Sequence, residues 1–183
     1  MNVSQEEQLK QLALLLYDHP RATTADLAKA ANISRATFNR TYQSRDHLME
    51  ILSKTAEGCL QEIITIAKKQ TNNYIEAFKE LVHAHYQDEE FLVFTCAANS
   101  SLENLYWKEY LQALDAFFLE GQKAGVFSLD YSNTLLTELF ISMICATIDA
   151  KRRNRIVWSG IEQKITDFFF SGAKMQPAFK RND

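Results

Sequence analysis

Proline and glycine are scarce, at two and five among 183 residues. No stretch pairs strict apolar alternation with turn residues, so a sheet architecture is excluded and an all-α protein is expected. Cysteine is equally sparse: Cys59, Cys96 and Cys145 lie far apart and show no Cys-x-x-Cys spacing. An odd, dispersed set excludes a disulfide framework and a zinc site, and it fits a reducing cytoplasm. Long apolar runs are missing too. The run from Leu12 to Tyr17 is too short to cross a bilayer, and that from Leu135 to Ile148 is also short and is interrupted by Glu138. Glu6 and Glu7 stand where a signal peptide would carry positive charge. A soluble, unexported chain without a membrane partner is expected. Positive charge is in deficit, with a formal net charge of −3, which excludes binding of nucleic acid through bulk charge. Any DNA contact has to come from a local patch.

What the chain does have is apolar residues, 46% of the total, enough to build a sizeable core. They recur at helical spacing. Leu9, Leu12, Ala13 and Leu16 mark a first helix that Asp18-His19-Pro20 stops. Thr23 and Asp26 form a capping box for a second helix burying Leu27, Ala28 and Ala31. Asn32 then fits a helix end of positive φ, and Ser34 caps a third helix burying Ile33, Phe38 and Tyr42. Ser44 caps a long helix carrying Leu48, Ile51, Leu52, Thr55, Cys59 and Ile63 to about Gln70.

Further helices are expected around Tyr74 to His85 and Phe91 to Ala98, and from a Ser100/Glu103 capping box to Gly121. The chain turns near Gly125. A helix from Ser132 to about Arg155 carries more apolar residues than one stripe holds, and Ser159 and Glu162 cap a last helix that Gly172 ends. The expected domains are 1–46, 47–175 and a polar tail, 176–183.

The stretch Thr23 to Arg45 carries the functional signal. Two short helices joined by Ala31-Asn32-Ile33, with small Ala28 at the crossing and Phe38 as anchor, have the geometry of a helix-turn-helix. On the second of them Arg35, Ala36, Asn39, Arg40 and Gln43 face away from the core. Arginine pairs with the guanine edge, and asparagine or glutamine with adenine, in the major groove. Lys29, Arg35, Arg40 and Arg45 are the only charged residues from Lys29 to Arg45, so this patch is basic within an acidic chain. Thr24, Ser34 and Thr41 add hydroxyls, and the helix starts offer backbone N–H groups, both suited to phosphate. Lys29 and Arg45 are the phosphate candidates near helix ends.

These residues resemble the DNA-binding domain of the TetR family of one-component bacterial regulators. The match runs through Thr23…Asp26-Leu27-Ala28, Ala31-Asn32-Ile33-Ser34-Arg35-Ala36-Thr37-Phe38, and Tyr42-Gln43-Ser44-Arg45-Asp46…Leu48. Asn32 replaces the usual turn glycine, Asn39 and Thr41 replace frequent aromatic or histidine contacts, and no basic arm precedes the first helix. The resemblance implies an N-terminal reading domain followed by a helical domain that binds a small effector. It also implies a homodimer built by the last two long helices on double-stranded operator DNA. Repression is the expected output, and a helical protein-interaction module of the same fold is the alternative.

The interface is expected at Leu136, Leu139, Phe140, Met143, Ile144, Ile161, Ile165, Phe168 and Phe169, where apolar surface exceeds what one side of a helix needs. Among the aromatic residues, Phe78, Tyr86, Phe94, Tyr106, Tyr110 and Phe117 are the candidates to line an effector pocket. His83 and His85, two apart on a helix, point to different sides and cannot share a metal ion. The run Lys151 to Arg155 reads as a solvated helix end. No Gly-rich phosphate loop, nucleophile elbow or His-Glu-x-x-His pattern occurs, so neither an enzyme nor a cofactor or metal site is expected. Gly58, inside an otherwise good helix, has two open explanations: close packing or a soft point.

Overall fold

Residues 4–98 and 105–173 are described by the computed structural model. The helices among them are α1 (Gln5–Asp18), α2 (Thr24–Ala30), α3 (Arg35–Tyr42), α4 (Arg45–Lys68), α5 (Tyr74–Gln87), α6 (Glu89–Ala98), α7 (Leu105–Lys123), α8 (Asn133–Arg152) and α9 (Ile161–Ala173). Hydroxyl side chains set several of the starts. The Ser4 hydroxyl accepts the Glu7 amide at 3.2 Å, Ser34 that of Thr37 at 3.0 Å, Ser44 that of His47 at 3.1 Å and Ser132 that of Leu135 at 3.1 Å. The Ser100/Glu103 box and the tail lie outside the described residues. Gly172 sits inside α9 rather than at its end, and α9 starts at Ile161 after Gly160 at φ 68°.

Two compact units divide the chain. The first takes the described parts of residues 1–61 and 88–106, so it reaches further than the expected 1–46. The physical reason is its core. Leu12 and Leu16 of α1, Leu27 and Ala28 of α2 and Phe38 and Tyr42 of α3 share one buried cluster with Leu48, Leu52 and Ala56 of α4 and Phe91 and Phe94 of α6. Each large apolar side chain in it contributes about 1.5–3 kcal/mol. Lys10 of α1 lies 3.3 Å from Glu6 and 3.0 Å from Asp88, joining α1 to the start of α6.

The second unit holds the described parts of residues 62–87 and 107–183, and its centre is a set of phenylalanines. Phe78 stacks on Phe169 at 4.8 Å and meets Phe140 at 5.2 Å, and Phe118 meets Phe127 at 5.1 Å. A Cβ at Gly121 would stand 2.4 Å from the Phe127 ring, so that close approach needs glycine. Gly125 turns the chain at φ 73°, and buried Gln122 donates to the Ser128 and Tyr131 carbonyls at 2.7 and 2.8 Å. At 20 residues, α8 is long and apolar enough by length and composition to cross a membrane, a test that a core helix also passes. Its Leu136, Phe140, Ile141, Ile144 and Ile148 are nevertheless buried within the protein.

Candidate DNA-reading surface

The turn between α2 and α3 is fixed by backbone bonds. The Asn32 amide donates to the Lys29 carbonyl and the Ile33 amide to the Ala28 carbonyl, both at 3.0 Å. This double closure requires a left-handed residue at Asn32, whose φ is 54°. Asparagine tolerates that conformation better than most side chains, which is how it stands in for glycine. At the other end of α2 the capping box is complete: the Thr23 amide donates to Asp26 at 2.9 Å and the Asp26 amide to the Thr23 hydroxyl at 3.4 Å. Hydrogen bonds from the Thr23 hydroxyl and amide hold the Asp26 carboxyl below its usual range.

Phe38 and Tyr42 anchor α3 from below, with ring centroids 5.1 Å apart and both side chains buried. The opposite side of α3 is open: Arg35, Ala36, Asn39, Arg40 and Thr41 are all exposed, as are Ser34 and Lys29. The structure brings these seven residues of the expected site to the surface of one short motif. Two others sit differently. Gln43 caps the C-terminus of α3 at φ 58°, so it is exposed but not on the helical stripe that the spacing implied. The i+8 position lies beyond the last turn of so short a helix. Arg45 is half-buried and donates to the Pro20 carbonyl at 2.7 Å. Thr24, the first residue of α2, is also half-buried. Sequence spacing gave no signal for the Arg45 contact, because its partner is a backbone atom 25 positions away.

The expected dimer residues divide by burial. Leu136, Phe140, Ile144, Ile161, Ile165 and Phe169 are buried within the chain, and of these Leu136 and Phe169 also line a groove beside Leu139, Met143 and Phe168. Leu139 is 50% and Phe168 73% exposed, and Met143 is half-buried.

The expected effector residues fall in both units. Phe94 belongs to the core of the first unit and Tyr106, 40% exposed, also falls in that unit. Phe78, Tyr110 and Phe117 are buried against other rings, and the Tyr86 hydroxyl lies 2.7 Å from that of Thr147. The Nδ1 proton of buried His85 goes to the Leu81 carbonyl at 2.6 Å, which leaves Nε2 to accept the Tyr110 hydroxyl proton at 2.8 Å. Burial lowers the His85 pKa to about 4 against the raising effect of the Leu81 bond. His83 is exposed and meets Glu162 at 3.2 Å. Among the described residues no cluster of three or more metal-ligating side chains occurs. Lys151 lies 4.0 Å from the Trp158 ring centre and Arg153 pairs with Asp149 at 2.7 Å, so part of that basic run has partners in the protein.

A capped two-helix motif with an exposed polar and basic face, set in an all-helical chain, defines a helix-turn-helix DNA-binding regulator. The chain belongs to the HTH-type transcriptional regulators, and its fold is similar to that of TetR family members. It is 37% identical over 178 residues to the HTH-type transcriptional regulator NfxB of Pseudomonas aeruginosa, covering 93% of this chain and 95% of that one. No family model matches the sequence. Among solved structures the fold is similar to the ketosteroid transcriptional regulator KstR2 of Mycobacterium tuberculosis, with a TM-score of 0.67 at 14% identity over 96% of this chain and 97% of that one. It is also similar to the TetR family regulator PfmR of Thermus thermophilus, with a TM-score of 0.62 at 17% identity over 98% of this chain and 100% of that one. A third is LfrR of Mycobacterium smegmatis, solved in complex with proflavine, with a TM-score of 0.59 at 20% identity over 92% of this chain and 98% of that one. These relatives are all described as transcriptional regulators.

Proposed function

We propose that the chain is a cytoplasmic repressor that binds a palindromic operator as a homodimer and is released by a small effector. The observation that carries the DNA reading is the exposed face of α3. Arg35, Ala36, Asn39 and Arg40 stand free over a buried Phe38/Tyr42 anchor, the arrangement a recognition helix needs to enter the major groove. Lys29, Ser34 and Thr41, with Thr24, are placed to meet phosphate on either side. Gln43 adds an exposed amide at the end of the helix.

The dimer reading rests on a groove of about 450 Å³ on α8 and α9, lined by Tyr131, Leu139, Met143 and Phe168 among others. Exposed Leu135 lies on the same helix as Leu139. An apolar face of this kind is covered when a second copy presents the same face about a two-fold axis. The effector reading rests on relatedness, since LfrR was solved with proflavine bound. Gly58 lies in α4, which continues from the first unit into the second, and it supplies a soft point for the switch.

Sedimentation at micromolar concentration and operator shifts with and without a metabolite extract test the whole reading. The expected result is a dimer whose complex with a selected duplex the extract dissociates. A chain that sediments as a monomer, or a complex that no extract fraction affects, contradicts the corresponding part.

A further inference from the structure

The basic run that closes α8 has no part in the DNA reading, and it continues into an apolar tip. From residue 139 to 161 the sequence holds one carboxylate, Asp149, against Lys151, Arg152, Arg153 and Arg155. Pairing of Arg153 with Asp149 at 2.7 Å therefore leaves the segment positive within an acidic chain. Ile156 and Val157 follow directly, 36% and 76% exposed, and Val157 is the most exposed large apolar side chain among the described residues.

The tip is held from both sides. Asn154 at φ 54° ends α8, where the Asn154 amide donates to the Lys151 carbonyl and the Arg155 amide to the Ala150 carbonyl, both at 2.9 Å. Beyond the tip, Trp158 meets the Tyr86 ring edge to face with centroids 5.0 Å apart, and the Lys151 ammonium lies 4.0 Å from the Trp158 ring centre. The Ile161 amide donates to the Trp158 carbonyl at 3.0 Å. Arg155, Ile156 and Val157 are all exposed on this fixed loop, so a partner meets them at little ordering cost.

The kinds of partner differ in what they use. A globular protein needs about 800 Å² from each side, more than these three side chains offer. Double-stranded nucleic acid gains nothing from two aliphatic side chains, and a base stacking on Trp158 meets a face already covered by Lys151. An anionic bilayer uses both features: its phosphates attract the cations, and its interface takes a protruding apolar tip without a matching groove. We propose that residues 151–158 dock the protein reversibly on an anionic phospholipid surface. Ile156 and Val157 enter the interface, and Arg155 with its basic neighbours meets headgroup phosphates. The expectation of no membrane partner concerns spanning segments, and a surface contact spans nothing.

The test is cosedimentation of the full chain with vesicles of phosphatidylglycerol and phosphatidylethanolamine, or of phosphatidylcholine alone. Arg155→Glu and Val157→Ser alter the tip, and Arg40→Glu alters the reading motif. All three positions are exposed, so circular dichroism and melting should be unchanged. The wild type should bind the anionic vesicles and not the neutral ones. Arg155→Glu and Val157→Ser should each weaken binding about fivefold or more, and Arg40→Glu should leave it intact. No binding, equal binding to neutral vesicles, or loss in Arg40→Glu with retention in the tip variants overturns the proposal. An effect of Arg155→Glu without one of Val157→Ser reduces the contact to charge attraction and overturns the inserted tip. A tip variant that changes the sedimentation of the protein alone assigns the tip to a contact between copies, and one that weakens binding to a selected duplex but not to vesicles assigns it to DNA. Either result overturns the proposal.

Discussion

Arg45 Nη2 donates to the carbonyl oxygen of Pro20 at 2.7 Å, tying the first residue of α4 to the turn between α1 and α2. The same junction is closed from the other side, where the Ser44 amide donates to the Tyr42 carbonyl at 2.6 Å. The start of α4 is therefore bonded to both ends of the α2/α3 motif. Arg45→Ala should cost about 0.5–1.5 kcal/mol of stability, the ordinary net value of one hydrogen bond. In the DNA-free protein it should speed amide exchange at Ala22, whose amide is bonded to the His19 carbonyl in that turn. A pure phosphate contact would leave exchange unchanged without DNA and would instead flatten the salt dependence of binding.

The dimer face separates residues that the sequence grouped together. Leu139→Glu and Phe168→Glu place a charge on an exposed site, so the chain should stay folded and sediment as a monomer. Phe169→Glu, on the buried side of the same helix, should lose several kcal/mol and unfold, because a carboxylate there has no water. Circular dichroism and sedimentation velocity on the three variants check the division.

Acid should expose His85. Its folded pKa, about 4, lies below the ordinary value near 6.5, so between those pH values the unfolded chain binds the extra proton. Stability conferred by the neutral ring is therefore complete above about pH 6.5 and falls as the pH drops toward 4, by up to about 3 kcal/mol. Urea unfolding at pH 7 and pH 5 should show the loss in the wild type, and a smaller loss in His85→Gln. Equal losses in the two proteins contradict the assignment.

Local chemistry explains what the sequence revealed and what it hid. Caps at Thr23, Ser34 and Ser44 and the left-handed turn at Asn32 depend on residues within five positions, and the structure has them all. The exposed stripe on α3 followed from the same short-range periodicity. Which apolar face of α8 meets the chain's own core depends on α5 and α9, so Phe140 and Leu139 could not be told apart by spacing. Phe94 looked like its aromatic neighbours, yet α6 packs with α1 in the first unit. The Pro20 carbonyl gave no side-chain signal at all.

Among the described residues a Cβ built at Gly58 meets nothing within 4 Å, so close packing against them is not the reason for the glycine. Gly58→Ala should then raise stability by about 0.5–1 kcal/mol, the helix-propensity difference. A lower melting temperature would contradict this, and would point to a close approach made only in the dimer.

Selection of bound sequences from random duplexes, run in parallel on the wild type, Asn39→Ala, Arg40→Ala and Lys29→Ala, tests the central claim most directly. The wild type should enrich an inverted repeat whose half-sites are read by α3. Asn39→Ala and Arg40→Ala should each relax preference at one position per half-site, by about 1–3 kcal/mol. Lys29→Ala should keep the selected sequence but lower the salt slope of binding by about one. No enriched sequence for the wild type, or variants of α3 that select the same bases with undiminished preference, would contradict the account.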